Sequence, residues 1–246
     1  MSGQLRGRWG GLDALRGLSI AAMILVNNPG RWGREYQYSQ LRHADWHGCT
    51  FTDLVFPTFL FCAGVAIVPA LSRKLAQGDS ERLLVRGILR RVISLILLGM
   101  FVSAFPLVTF AADRGLFDPL WSTRFPGVLQ RIGVCYGVAA LLFVFASVRT
   151  QRMVLVACLL VYWPLITLVE VPGFGPPDIG TAMGTLQGYV DRAVFGSHIW
   201  VKGQYDPEGL LSTMPALATC LFGVEAGRLL QRTPAPMARV KKLACV

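Results

Sequence analysis

The sequence is poor in charged residues, cysteines and histidines. Asp, Glu, Lys and Arg make up 15% of its 246 residues, against about 25% in a typical soluble domain, while 53% of the residues are hydrophobic. A disordered chain needs low hydrophobicity, so that class is excluded. Six cysteines are also too sparse for a disulfide-stapled scaffold. What is left is an apolar chain whose net charge of +10 has to be explained.

The cysteines give no sign of a metal site either. Cys62, Cys135, Cys158 and Cys220 fall within apolar runs, where a free cysteine packs as a small apolar residue. No pair of cysteines has the spacing of zinc ligands. We therefore expect no metal in this protein.

Six apolar runs dominate the chain. A bilayer core about 30 Å thick is crossed by roughly 20 helical residues. Runs close to that length cover residues 12–29, 52–71, 88–111, 127–148, 153–169 and 211–230. The first run leads into NNPG at 27–30, not into a small-residue cleavage site, so we read it as a retained helix rather than a signal peptide. The sequence predicts an all-α, polytopic transmembrane bundle of about six spans.

The distribution of charge between the predicted loops gives the orientation. With the N-terminus in the cytoplasm, 16 of the 24 basic residues lie on the cytoplasmic side and 10 of the 14 acidic residues on the opposite side. This bias is the one that the positive-inside rule requires. The net charge is therefore an orientation signal. The predicted partner is the lipid bilayer, and nucleic acid is not predicted as a partner.

Polar side chains concentrate in two loops on the predicted non-cytoplasmic side. One loop covers 31–50 and the other, rich in Gly and Pro, covers 170–210. A connection of about 40 residues far exceeds the usual length between packed helices, and such loops are commonly functional. The densest cluster is HADWHG at 43–48, followed by Asp53 at the head of the second run.

Several roles fit this cluster. A carboxylate such as Asp53 beside a histidine orients the ring and tunes it as a base or nucleophile. His43 and His47 also have the i, i+4 spacing of metal ligands on a helix, but the intervening Glu of a zinc-protease motif is absent. A third reading makes both histidines interfacial polar residues. Trp46 fits either an interfacial aromatic belt or a wall on which a sugar stacks.

Two polar residues, Arg131 and Asn27, lie within the predicted spans, Arg131 inside the fourth and Asn27 near the end of the first. Arg131 falls inside the fourth run, where a charge costs roughly 2.5–3.5 kcal/mol on insertion scales. It either snorkels to the outer interface or clamps an anionic group. Asn27, with Asn28, either caps the first helix or hydrogen-bonds a substrate.

Several motifs together resemble one family. They are LDALRG at 12–17 with MILVN at 23–27, HADWHG at 43–48 with TDLVFP at 52–57, PGVLQRIG at 126–133, and DPEGLLST at 206–213 leading into FGVEAG at 222–227. In this order, they resemble the motifs of the heparan-alpha-glucosaminide N-acetyltransferase family, and their amino-acid sequences are similar to those of its bacterial branch.

The resemblance implies a membrane enzyme that moves acetyl from acetyl-CoA to the amine of a glucosamine-like sugar on the non-cytoplasmic side. It implies His43, Asn27 and Asp53 as catalytic residues. The surrounding motifs add candidate substrate-binding residues, namely Arg131, Trp46, His47, Asp206 and Glu208. Expected partners are acetyl-CoA, as acyl donor, and an amino-sugar or glycan acceptor, with a homodimer as a possible assembly. If the source is bacterial, the location is the plasma (inner) membrane.

The chain departs from the family pattern in length. Family members usually continue for several spans beyond Gly227, whereas this chain has 19 more residues. We expect residues 1–230 to be the N-terminal part of a longer catalytic domain and residues 231–246 to be a basic cytoplasmic tail. The shortening leaves two alternatives to the enzyme: a transporter of a polar solute, or an inactive homologue that binds one.

Two mechanisms fit the resemblance. Either His43 attacks the thioester and forms an acetyl-imidazole, or donor and acceptor bind together and His43 acts as general base. We favour the second, which needs no further base. The phosphates of CoA need a cation near the cytoplasmic face. Arg90 and Arg91 are candidates, although basic residues at a span end also snorkel without binding anything.

Overall fold

The protein is described by a computed structural model that covers residues 9–28, 37–110 and 115–233. Within these residues it is helical, and its only β pairing consists of two isolated bridges. The helices are α1 (Gly10–Asn27), α2 (Phe51–Ala76), α3 (Glu81–Ala104), α4 (Asp118–Trp121), α5 (Val128–Phe145), α6 (Val148–Thr167), α7 (Leu186–Phe195) and α8 (Thr213–Arg232), with a 3-10 turn at Ser39–Leu41. The predicted fold class, an all-α polytopic bundle, is confirmed.

Among the described residues, five helices are long and apolar enough to cross a membrane: α1, α2, α3, α5 and α6. The sequence predicted about six. The sixth run does form a 20-residue helix, α8, but this helix falls outside the five. Its position explains why it can be less apolar. It packs against α2, α5 and α6, so much of its surface meets other helices.

The helix bounds differ from the hydropathy reading at α3. The helix begins at Glu81, seven residues before the predicted start at 88. The prediction was late because the first turns carry arginines, which lower the hydropathy of this stretch. It ends at Ala104, before the predicted end at 111, since Pro106 disfavours a helical conformation at Phe105. Residues 111–114 lie outside the described part of the chain, as does residue 29 at the end of the first predicted span.

The backbones of α2 and α8 touch each other. A Cβ at Gly64 would lie 1.9 Å from the carbonyl oxygen of Cys220, and one at Gly223 would lie 2.1 Å from that of Phe61. Small residues allow such close approach between membrane helices. The glycines of the FGVEAG motif therefore have a packing role, and they fix α8 beside α2 at the centre of the bundle.

The helices alternate in direction and give the bundle two unlike ends. At one end Gln151, at the start of α6, donates to the carbonyl of Leu142 at the end of α5, and Arg152 pairs with Glu225 near the end of α8. We call this the basic end, since α2 ends and α3 begins there with several arginines and Lys74. The opposite end, where α2, α5 and α8 begin, is called the histidine end.

Candidate active site

His43 and Asp53 form a hydrogen-bonded pair at the histidine end. His43 Nδ1 lies 2.7 Å from Asp53 Oδ1. The His43 side chain is 64% exposed and the Asp53 side chain 26%. An ionised carboxylate can only accept a hydrogen bond, so Nδ1 carries the proton, and in the neutral ring Nε2 keeps its lone pair. The exposed imidazole is thus oriented to use Nε2 as a base or nucleophile.

The start of α2 holds Asp53 in place. Asp53 is the third residue of the helix, and its Oδ2 accepts from the backbone N–H of Thr50 at 2.8 Å and that of Ala44 at 3.2 Å. Thr50 Oγ1 lies 2.9 Å from the same oxygen and 2.7 Å from the carbonyl oxygen of Arg42. A carboxylate also complements the positive end of the helix dipole. Oδ2 is used for positioning, which leaves Oδ1 for His43.

Trp46 joins the two long loops. Its indole Nε1 donates to the carbonyl of Ile179 at 2.7 Å, and its ring meets that of Tyr205 edge to face, with centroids 4.9 Å apart. Burial, together with the charges of nearby carboxylates, raises the pKa of Tyr205, so its phenol stays neutral. Trp46 therefore holds the two long loops together. Contact between its ring and a sugar stays a prediction.

His47 is exposed and touches Trp46 at a centroid distance of 6.4 Å. Residues 43–47 are not helical, so the i, i+4 helical spacing behind the metal alternative is not realised. The described residues contain no group of three His, Cys, Asp or Glu side chains placed to hold a metal ion.

Arg131, at the start of α5, points into the segment that precedes α8. Its Nη2 donates to the carbonyl oxygens of Pro207 at 2.9 Å and Gly209 at 3.2 Å, and also to Ser212 Oγ. Its Nε is buried and has no hydrogen-bond partner among the described residues. Nη2 is thus committed to protein, while the buried Nε–H has no acceptor among the described residues.

Asp206 and Glu208 pair with Arg124, a residue that the sequence analysis did not select. Arg124 Nε donates to Asp206 Oδ2 at 2.7 Å, and Nη2 contacts both carboxylates. Burial lowers the pKa of the Arg124 guanidinium, but the hydrogen bonds and charges of the two acids outweigh this, so the pKa is raised overall. Asp206 is fully buried, whereas Glu208 keeps some exposure. Substrate binding by either acid stays a prediction; in the structure both anchor a loop.

Asp191, on α7, completes this anchor and was also missed. Its buried carboxylate accepts from the backbone N–H of Asp206 at 3.1 Å and of Leu210 at 3.0 Å. A Cβ at Gly209 would lie 2.1 Å from it. Burial raises the pKa of Asp191. The signal in the sequence was the glycine of the DPEG motif, which marks a close approach, but its partner could not be named.

Asn27 lies at the C-terminal end of α1, exposed and at the histidine end. No hydrogen bond joins it to His43 in the part of the chain that the structure describes. Asn28 Nδ2 donates to the carbonyl of Ile24 at 2.9 Å and so serves the helix end. Residues 29–36, which include the start of the first long loop, lie outside the described residues, as do 1–8 and most of the predicted tail, 234–246.

A family model described as heparan-alpha-glucosaminide N-acetyltransferase, catalytic, matches residues 8–243. The heparan-alpha-glucosaminide N-acetyltransferase of Mus musculus is 28% identical over 96% of this chain and 41% of its own length. That of Homo sapiens is 31% identical over 89% of this chain and 38% of its own length. The chain thus spans about two fifths of the curated relatives it matches. It is an integral, multi-pass membrane protein that belongs to the heparan-alpha-glucosaminide N-acetyltransferase catalytic family.

Proposed function

We propose that the protein transfers acetyl from acetyl-CoA to the amine of a glucosamine-like sugar on the non-cytoplasmic side of the membrane. The observation that carries this proposal is the 2.7 Å contact between His43 Nδ1 and Asp53 Oδ1. It leaves Nε2 of an exposed imidazole free for proton transfer at the histidine end. By the positive-inside rule the histidine end is non-cytoplasmic and the basic end is cytoplasmic.

A cavity near the basic end supports acetyl-CoA as the donor. Its volume is about 560 Å³, and its lining includes Arg16, Arg73, Lys74 and Arg91. Arg16 Nε is buried and lacks a partner among the described residues. A buried donor without a partner is costly, and a phosphate oxygen of CoA would satisfy it. The cavity therefore fits an anionic ligand that arrives from the cytoplasm.

The two predicted cations for CoA separate in the structure. Arg91 lines this cavity and lies over the Tyr136 ring at 4.6 Å from its centroid. Arg90, the preceding residue on the helix, lines a different cavity on the outside of α3. We therefore assign CoA binding to Arg91 and not to Arg90.

The chemistry follows from the free Nε2 of His43. In the ternary-complex route, Nε2 takes a proton from the ammonium of the sugar, and the neutral amine attacks the thioester carbonyl carbon. The C–S bond then breaks, and the proton on Nε2 goes to the departing CoA thiolate while the second amine proton passes to water. Asp53 stabilises the intervening imidazolium.

Asn27 is the proposed donor to the oxyanion that develops on the carbonyl. Such a donor is worth about 3–4 kcal/mol in other enzymes. Two helices connect the donor cavity to this chemistry, since α1 carries both Arg16 and Asn27, and α2 carries both Arg73 and Asp53. The acyl arm of the donor would extend along them.

The test is His43→Ala in membrane vesicles supplied with labelled acetyl-CoA and glucosamine. We expect acetyl transfer and thiol release to fall by at least about 10²-fold, with normal insertion into the membrane. The matched control is His47→Gln, which alters a second exposed histidine of the same motif. It is expected to change KM for the sugar while kcat remains.

A wild-type rate in His43→Ala would refute the assignment. Solute uptake into liposomes that contain no CoA would instead identify a carrier.

A further inference from the structure

A second cavity lies on the outer surface of α3 at the basic end. It has a volume of about 730 Å³ and sits where the first turns of α3 meet Phe145 at the end of α5. We call it the α3 groove. Its lining includes Glu81, three arginines of α3, and the apolar side chains of Leu89, Ile93 and Phe145. No lining residue is shared with the cavity assigned to acetyl-CoA.

The arginines of the α3 groove form one stripe. Arg82, Arg86 and Arg90 stand at positions i, i+4 and i+8 of the helix, so they share a face. All three are exposed. In the described part of the chain none of them has an ion pair or a hydrogen bond from its side chain, although Arg124, Arg152 and Arg228 elsewhere are paired. Glu81 is the one acid in the lining.

The rest of the lining is apolar and continues away from the end of the bundle. Leu89 is 45% exposed, Ile93 54% and Phe145 55%. Beyond them the same helix presents Leu97, which is also exposed. A soluble phosphate or nucleotide would make no favourable contact with these apolar side chains, whereas a lipid acyl chain would be buried against them. The α3 groove thus combines cations at the membrane surface with an apolar surface at hydrocarbon depth.

We propose that the α3 groove binds an anionic phospholipid of the leaflet at the basic end. The phosphate lies among Arg82, Arg86 and Arg90, and an acyl chain lies against Leu89, Ile93 and Phe145. Basic grooves between membrane helices on the cytoplasmic side are suited to anionic headgroups, and arginine binds phosphate through a planar fork of N–H donors. The inference uses the proposed orientation but not the acetyl-transfer chemistry.

The test measures lipid binding to the full chain, purified in detergent and free of acetyl-CoA, by native mass spectrometry. The probes are dioleoyl phosphatidylglycerol and, as the neutral reference, dioleoyl phosphatidylcholine. Phosphatidylglycerol is expected to bind more tightly. Each arginine near a membrane surface contributes about 1 kcal/mol, or about fivefold in affinity. Arg86→Gln should therefore weaken phosphatidylglycerol binding about fivefold, and the triple variant R82Q/R86Q/R90Q roughly a hundredfold.

The matched control is Arg149→Gln. Arg149 is exposed in the first turn of α6 at the same end of the bundle, and it does not line the α3 groove. It should bind phosphatidylglycerol as the wild type does. Equal weakening by R149Q and R86Q would overturn the proposal in favour of a general charge effect. Unchanged binding in the triple variant, equal binding of the two lipids, or full competition by glycerol phosphate would overturn it as well. None of these results would affect the proposed role of His43 in acetyl transfer.

Discussion

The loop anchor at the histidine end and the arginine stripe of α3 at the basic end use charge in opposite ways. In the loop anchor, Asp206 is fully buried against Arg124, whose side chain is only 19% exposed. The basic end also has a largely buried pair, Arg228 with Glu225, but the stripe of Arg82, Arg86 and Arg90 is exposed and has no ion pair in the described residues. The buried pair of the anchor therefore holds a loop in place, whereas the stripe leaves its cations available to ligands.

The largest effect expected from this comparison is on stability. Arg124→Ala leaves the buried Asp206 carboxylate without its counterion, which typically costs about 3–5 kcal/mol. Arg152→Ala removes an exposed partner of Glu225, which retains Arg228, so the cost should stay within about 1 kcal/mol. Thermal unfolding in one detergent measures both variants. Equal losses in the two variants would show that the ends do not differ in this way.

The next effect is on the reaction. Asp53→Asn removes the carboxylate that fixes the proton on His43 Nδ1, and kcat should fall by about 10²-fold, the lower range for general acid–base catalysis. Asp45→Asn changes a nearby acid of the same loop and should leave kcat within about threefold of the wild-type value. Initial rates over a range of sugar concentrations separate kcat from KM. If D45N loses as much as D53N, the pairing seen for Asp53 is not what tunes the histidine.

The smallest effect distinguishes two neighbouring cations at the basic end. Arg91→Gln should raise KM for acetyl-CoA about tenfold, the loss of one charge-assisted hydrogen bond of about 1.4 kcal/mol. Arg90→Gln should not change it, because Arg90 lines the α3 groove instead. Rates measured over a range of acetyl-CoA concentrations decide between them. The assignment of the donor cavity is contradicted if R90Q raises KM and R91Q does not.

Local patterns predicted much of the fold and the proximity of Asp53 to the histidine motif. Apolar run length predicts the spanning helices, because crossing a bilayer requires about 20 apolar residues. The closeness of His43 and Asp53 could also be predicted, since the two residues are ten positions apart and Asp53 lies in the first turn of a helix. What they do in catalysis stays a prediction.

The supporting contacts could not be predicted from one sequence. Arg124 and Asp206 are 82 positions apart, and nothing local marks them as partners. The start of α3 was missed for a different reason. A hydropathy reading discards arginines, although a helix extends through them when their heads reach the membrane surface. The apolar deficit of α8 likewise makes sense only with its neighbours in place.

The close contact between α2 and α8 also holds α2 more firmly in the bundle than α1. With Gly64 and Gly223 backbone to backbone, α2 is fixed along its middle. By contrast, α1 packs mainly on α2 and buries only Ser19 and Val26. Its 18 residues form a rod about 27 Å long, with Asn27 at its C-terminal end and Arg16 eleven residues earlier. A tilt of α1 would therefore change the cavity that Arg16 lines and shift Asn27 in a single motion, while Asp53 stayed where it is.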